Sequence, residues 1–214
     1  KLIRNKTSLF VEKAIEKILI NGLTPEDLPL ILAWKIGNID HKASVNEIVY
    51  KYNCNTTLEF KGLYGKPIKA KQLIEYINKN FLYLKELAKN NPYELFIKLC
   101  ENKVKNFGAT YIITLLYFLS DGVMPIYDKY AHIALLAIKD DIKPNQMVNG
   151  YEGIESSVND EESRKKAWRT YEDYCSLLKE IVGEENYKDR SVDRALWVYG
   201  HAFKTFQKFK SIKC

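Results

Sequence analysis

The sequence predicts an all-helical protein, on three observations. Apolar residues recur at spacings of three and four over most of the chain, no long stretch alternates at period two, and 10 Gly and 6 Pro in 214 residues are too few for the many turns of an all-β fold. With 46% hydrophobic and 28% charged residues there is apolar material for a core and charge for a hydrated surface, which excludes disorder and collagen-like order. A single helical domain over residues 1–214 is expected.

The elements follow from periodicity and punctuation. Phe10, Ala14, Ile15, Ile18 and Leu19 mark a first helix that stops at Asn21-Gly22, where glycine tolerates positive φ. Thr24-Pro25-Glu26-Asp27 supplies an N-cap, a proline at the first helical position and early acids for a second helix, running towards Trp34 and ending near Gly37. A third helix is expected after Ser44. From Tyr52 to Lys66 the pattern dissolves into a loop, the one place where a short β-hairpin is compatible with the residues. Ala70, Leu73, Ile74, Ile77, Phe81 and Leu84 form one helical stripe, and Asn90-Asn91-Pro92 breaks the chain before a helix from about Tyr93 to Glu101. Pro144 to Asp160 has few periodic apolar positions and is expected to be a surface connection or a substrate-facing loop. Two late helices are expected over about 161–182 and 192–209, the second carrying Val192, Leu196, Tyr199, Phe203 and Phe206 on one face, with Trp197 in the core.

Composition bounds the partners. Through Phe107 there are 18 basic and 11 acidic residues, against 15 and 16 from Gly108 onward, so the N-terminal half carries the positive excess. A basic half attracts polyanions through counterion release, although 28 Lys to 5 Arg is equally what a whole-genome composition bias would leave. Cys54, Cys100, Cys175 and Cys214 are far apart, with no pair that could start a metal cluster, and read as reduced thiols of a cytoplasmic protein. His41, His132 and His201 are scattered and give no metal-ligand spacing, so neither a metal nor another cofactor is expected. His41 reads as a loop residue and His201 as a packed helix residue. No apolar run reaches the roughly 18 residues of a membrane span, no signal-peptide pattern opens the chain, and Lys1 in place of a Met suggests trimming.

The informative stretch is Val104-Lys105-Asn106-Phe107-Gly108-Ala109-Thr110-Tyr111, then a helix through Leu119, a Ser120-Asp121-Gly122 turn, and Pro125-Ile126-Tyr127-Asp128-Lys129. It couples a tight turn to a helix start and then to an acid. Gly108 can take backbone angles closed to other residues, and amides at a helix N-terminus favour a phosphate. Asp128 falls about 20 positions after Gly108, at the start of the next helix.

This pattern resembles the helix-hairpin-helix DNA glycosylase superfamily, in which a Gly-hydrophobic-Gly hairpin precedes a catalytic aspartate by about this distance. The resemblance covers Val104 to Ile138, within a hairpin region of about 98–138. It implies a compact two-lobed all-helical fold, a role in base excision repair, and a hydrolase acting as a monomer on duplex DNA with a damaged base. By resemblance Asp128 is the catalytic residue, and Lys105, Asn106, Phe107, Gly108 and Thr110 form the DNA-binding hairpin. Asn106 replaces the first glycine, as a residue that visits left-handed angles readily. Ile112 replaces a small residue, and Thr110 stands where lyase-competent members carry a Schiff-base lysine. The chain also lacks a closing four-cysteine iron–sulfur pattern, so the expected activity is monofunctional: hydrolysis of the N-glycosidic bond without strand cleavage.

Simpler roles are available to the same residues. Asp128 after Pro-Ile-Tyr is an ordinary helix N-cap, a role compatible with catalysis, and Gly108 an ordinary helix-start turn. Trp34, beside Lys35, and Trp168, between Lys166 and Arg169, are candidates for a base pocket, as is His132, one helical turn after Asp128, which could adjust that acid or bond to it in the core. The alternative function is a non-catalytic DNA-binding protein or helical scaffold with a degenerate hairpin.

Overall fold

Where apolar periodicity is strong the chain is helical, and the described residues form a mostly helical protein with two short β-hairpins. The computed structural model describes residues 2–36, 39–44, 47–52, 59–61, 67–147 and 151–210, and divides into two units, Lys1–Asp121 and Gly122–Cys214.

In the first unit, α1 (Leu2–Asn21) stops where expected, with Gly22 at φ +82°. The Thr24 amide and hydroxyl both donate to the Asp27 carboxylate, at 2.9 and 2.8 Å, fixing one 3-10 turn over Pro25–Asp27. That turn delivers the chain into α2 (Leu28–Ile36), whose Leu28, Ile31, Leu32 and Ala33 are all buried. The helix expected after Ser44 is instead a strand. β1 (Ile39–Ser44) pairs antiparallel with β2 (Glu47–Tyr52), Ile39 opposite Tyr52 and Ser44 opposite Glu47. The reason is local: Ile48-Val49-Tyr50-Lys51-Tyr52 is rich in β-branched and aromatic residues, which lose side-chain freedom in a helix and fit a pleated strand. His41 accordingly lies in β1 opposite Tyr50 and not in a loop.

Strands β3 (Glu59–Lys61) and β4 (Pro67–Lys69) form the second hairpin, so part of the expected Tyr52–Lys66 loop is strand; 53–58 and 62–66 lie outside the described residues. The single stripe from Ala70 to Leu84 is two helices, α3 (Lys71–Lys79) and α4 (Phe81–Asn90). They part at Asn80, whose side-chain amide donates to the Tyr76 carbonyl at 2.8 Å and takes over a helix-terminal acceptor. Asn91 then caps α5 (Pro92–Glu101), accepting from the Glu94 amide at 3.2 Å and donating to the Glu94 carboxylate at 3.0 Å.

Helix α6 (Ala109–Leu119) is buried nearly all round, from Ile112 to Leu119, and is the centre of this unit, with α2, α4 and α5 against it. Each large apolar side chain buried there stabilises the unit by about 1.5–3 kcal/mol. Asp121, at φ +50°, ends the turn after α6 and holds Lys85 of α4 in an ion pair of 2.7 Å.

The second unit contains α7 (Lys129–Lys139), the short α8 (Pro144–Met147), α9 (Glu161–Val182) and α10 (Arg190–Lys210). Asp160 and Ser163 form a capping box at the start of α9, and Ala167, Trp168, Tyr171, Tyr174, Leu177 and Leu178 make its buried stripe. Helix α10 packs against α7 through Gly200, where a side chain would collide with the Tyr130 carbonyl. Trp197 was expected in the core but is 42% exposed and stacks on His201 at 4.5 Å. The cause is the period: Leu196 and Gly200 face inward, which turns 197–199 to the outside, Tyr199 included. Among the described residues no helix is long and apolar enough to cross a membrane.

Candidate functional site

The turn between α5 and α6 is built from a few bonds. The Asn102 side chain donates to the Lys98 carbonyl at 2.9 Å and closes α5, and the Phe107 amide donates to the Val104 carbonyl at 3.1 Å. Asn106 takes the left-handed conformation, φ +67°, for which its short polar side chain is suited. Gly108, expected to need unusual angles, does not: at φ −89° and ψ 178° it is extended backbone that any residue adopts, and the left-handed position lies two residues earlier. Gly108 is the N-cap of α6 and brings no side chain to the first amides of that helix.

Between these two residues Phe107 turns inward. It is 1% exposed and packs on Tyr111, ring centres 5.1 Å apart, so whatever it offers a ligand comes from its backbone. Thr110 sits in the first turn of α6, where its carbonyl accepts from the Thr114 hydroxyl at 2.9 Å. Lys105 and Asn106 are exposed and, with Pro67 and Lys69 of β4, line an open cavity of about 530 Å³. The Asn106 side-chain amide donates to the Pro67 carbonyl at 3.0 Å and ties the turn to the strand.

In the second unit Asp128 is the N-cap of α7, and its Oδ1 accepts from the Tyr130 amide at 2.8 Å. Its other oxygen has no hydrogen-bond partner among the described residues. Two tyrosines of α9 brace the segment leading to it: Tyr171 donates to the Pro125 carbonyl at 2.6 Å and Tyr174 to the Ile126 carbonyl at 3.1 Å. The carboxylate is therefore held at a rigid element end.

One turn along α7, His132 is buried, and its side-chain partners are Tyr151 and Tyr127, at 2.9 and 3.2 Å from Nδ1, rather than Asp128. The two hydroxyls are 2.6 Å apart, and the Tyr127 oxygen also accepts from the Ile154 amide at 3.1 Å. Burial lowers the imidazole from 6.5 to about 4, against a smaller upward pull from Asp173, so the ring is neutral at pH 7. The His132 ring and the two hydroxyls form one hydrogen-bonded cluster, into which the Ile154 N–H donates at the Tyr127 oxygen and in which either hydroxyl can donate to the other. Burial raises both phenols, and the nearby Asp128 charge adds to the shift of each. Tyr127 and Tyr151 thus belong to the surroundings of Asp128, although sequence reasoning passed over them. For Tyr151 the available signal was an aromatic in a stretch of Gly, Glu and Ser, and for Tyr127 its place next to Asp128.

The three base-pocket candidates are placed as follows. Trp34 lies in the first unit, its indole N–H donating to Glu12 at 3.3 Å and its ring edge-on to Phe118 at 6.0 Å. Trp168 is buried on α9 with its ring 5.4 Å from Tyr171. Of the three, His132 shares an element with Asp128. Among the described residues no group of His, Cys, Asp and Glu could hold a metal ion. Comparison with known proteins finds no matching family model, no matching curated protein and no matching solved structure.

Proposed function

We propose that this chain binds duplex DNA and acts as a monofunctional DNA N-glycosylase that flips a damaged base and hydrolyses its bond to the sugar. One observation carries this reading: a helix, a turn with left-handed Asn106 and inward Phe107, and a buried helix, followed by a carboxylate at the N-cap of the next helix. The turn presents backbone and lysine to phosphates, which positions a protein on DNA without reading its sequence.

At the sugar, cleavage builds positive charge on C1′ as the base departs with the electron pair of the C–N bond. The Asp128 carboxylate stabilises that charge, orients water for addition to C1′, and receives the proton that water gives up. The capping bond occupies one carboxylate oxygen and leaves the other for this work. Thr110 cannot form an imine, so the abasic strand stays intact.

A non-catalytic DNA-binding protein is the second reading, favoured by the Asp128–Tyr130 cap, which is reason enough for an aspartate there. The test is incubation of the purified protein with a panel of lesion duplexes, followed by alkali. Alkali-dependent strand breaks at a lesion support the glycosylase. Breaks without alkali, trapped by borohydride, would replace it with a lyase, and no breaks in either condition would leave the second reading.

A further inference from the structure

We infer that the cavity between β4 and the α5–α6 turn is a phosphodiester site, with Lys69 as a backbone-binding residue that works together with Lys105; this rests on the DNA-binding reading and extends it to a second element. The strand's alternation sets the direction. In β4 the middle residue, Ile68, is buried and the two flanking residues are exposed, so Pro67 and Lys69 share the outer face. The Asn106 side-chain amide, on a residue in the left-handed conformation, ties the strand to the turn by donating to the Pro67 carbonyl at 3.0 Å.

Lys69 and Lys105 therefore line one cavity from two elements far apart in sequence. Among the described residues neither lysine has an ion-pair partner, and no carboxylate lines the cavity. Two lysines over one concave surface raise the local positive potential, which Glu59, opposite Lys69 in the β3–β4 register, offsets only in part, and a chain of phosphates relieves it by giving up condensed counterions to bulk solvent. The cavity is open at the surface, where an extended sugar–phosphate strand can lie across both lysines. DNA is favoured over an acidic protein because, among the described residues, the two lysines flank the proposed DNA-binding turn and the apolar part of the lining is small.

The experiment is fluorescence anisotropy of a labelled duplex against salt concentration, for the wild type, Lys69→Gln, Lys105→Gln, the double variant, and Lys17→Gln as an exposed lysine of α1 outside the cavity. Lys69→Gln and Lys105→Gln should each weaken binding about three- to tenfold and flatten the slope of log K against log salt by about 0.9. Lys17→Gln should change neither. A loss at Lys105 with Lys69 indistinguishable from Lys17 overturns the joint site and leaves the DNA-binding turn standing. Silence at both lysines overturns the two together. Displacement of the duplex by poly-glutamate as effectively as by unlabelled duplex overturns the nucleic-acid assignment.

Discussion

The Asn106 side chain donates to the carbonyl of Pro67 at 3.0 Å, across 39 residues of sequence. A turn and a strand edge are thereby held by one bond, and the same residue supplies the left-handed backbone that the turn requires. Asn106→Ala loses both contributions and should destabilise the first unit by about 1–2 kcal/mol, whereas Asn106→Gly loses only the bond and should cost less. Urea unfolding of the three proteins checks the order. An alanine variant as stable as the glycine variant would mean that the backbone conformation carries no cost.

At Gly200 two effects oppose each other. Alanine is favoured over glycine inside a helix by about 1 kcal/mol, but a Cβ here would lie 2.7 Å from the Tyr130 carbonyl carbon, which is backbone and cannot swing away. Separation of α7 from α10 should outweigh the propensity gain, so Gly200→Ala is expected to destabilise by about 1–3 kcal/mol. Thermal unfolding gives the sign, and a stabilised variant would contradict this packing.

The neutral, buried His132 makes stability depend on pH. The unfolded chain takes up a proton as pH falls through 6.5, while the folded ring resists until about 4. Stability is therefore full above 6.5 and lost progressively between 6.5 and 4, by an amount on the order of 3 kcal/mol. His132→Gln removes that contribution. Urea midpoints at pH 7, 5.5 and 4 should fall more steeply for the wild type than for the variant, and parallel lines would contradict the buried neutral ring.

Much of the helical pattern was legible because it is a local property. The Asn21-Gly22 stop, the cap and proline at 24–25, the start of α9 after Asp160 and the N-cap at Asp128 all follow from a residue's own chemistry and its near neighbours. The break at Asn80 was hidden inside an unbroken apolar stripe, since an asparagine on the polar side of a helix leaves the period intact. Strand β2 carried a local signal in the β-branched and aromatic run from Ile48 to Tyr52, but six residues are too few for a period to separate strand from helix. The candidate site divides the same way. Asn106, Phe107 and Asp128 stand out in sequence, while Tyr151 reaches His132 through a contact 19 residues long, and the strand that carries Lys69 is tied to the turn by the Pro67–Asn106 bond, 39 residues long, which no spacing rule anticipates.

Base release by Asp128→Asn, measured under single-turnover conditions beside duplex binding, tests the proposed chemistry most directly. An amide can still accept from the Tyr130 amide and cap α7, but it cannot stabilise a cation as a carboxylate does. The expected result is binding within about twofold of wild type and base release lowered at least about a hundredfold. Equal release by the variant and the wild type would contradict the assignment of Asp128.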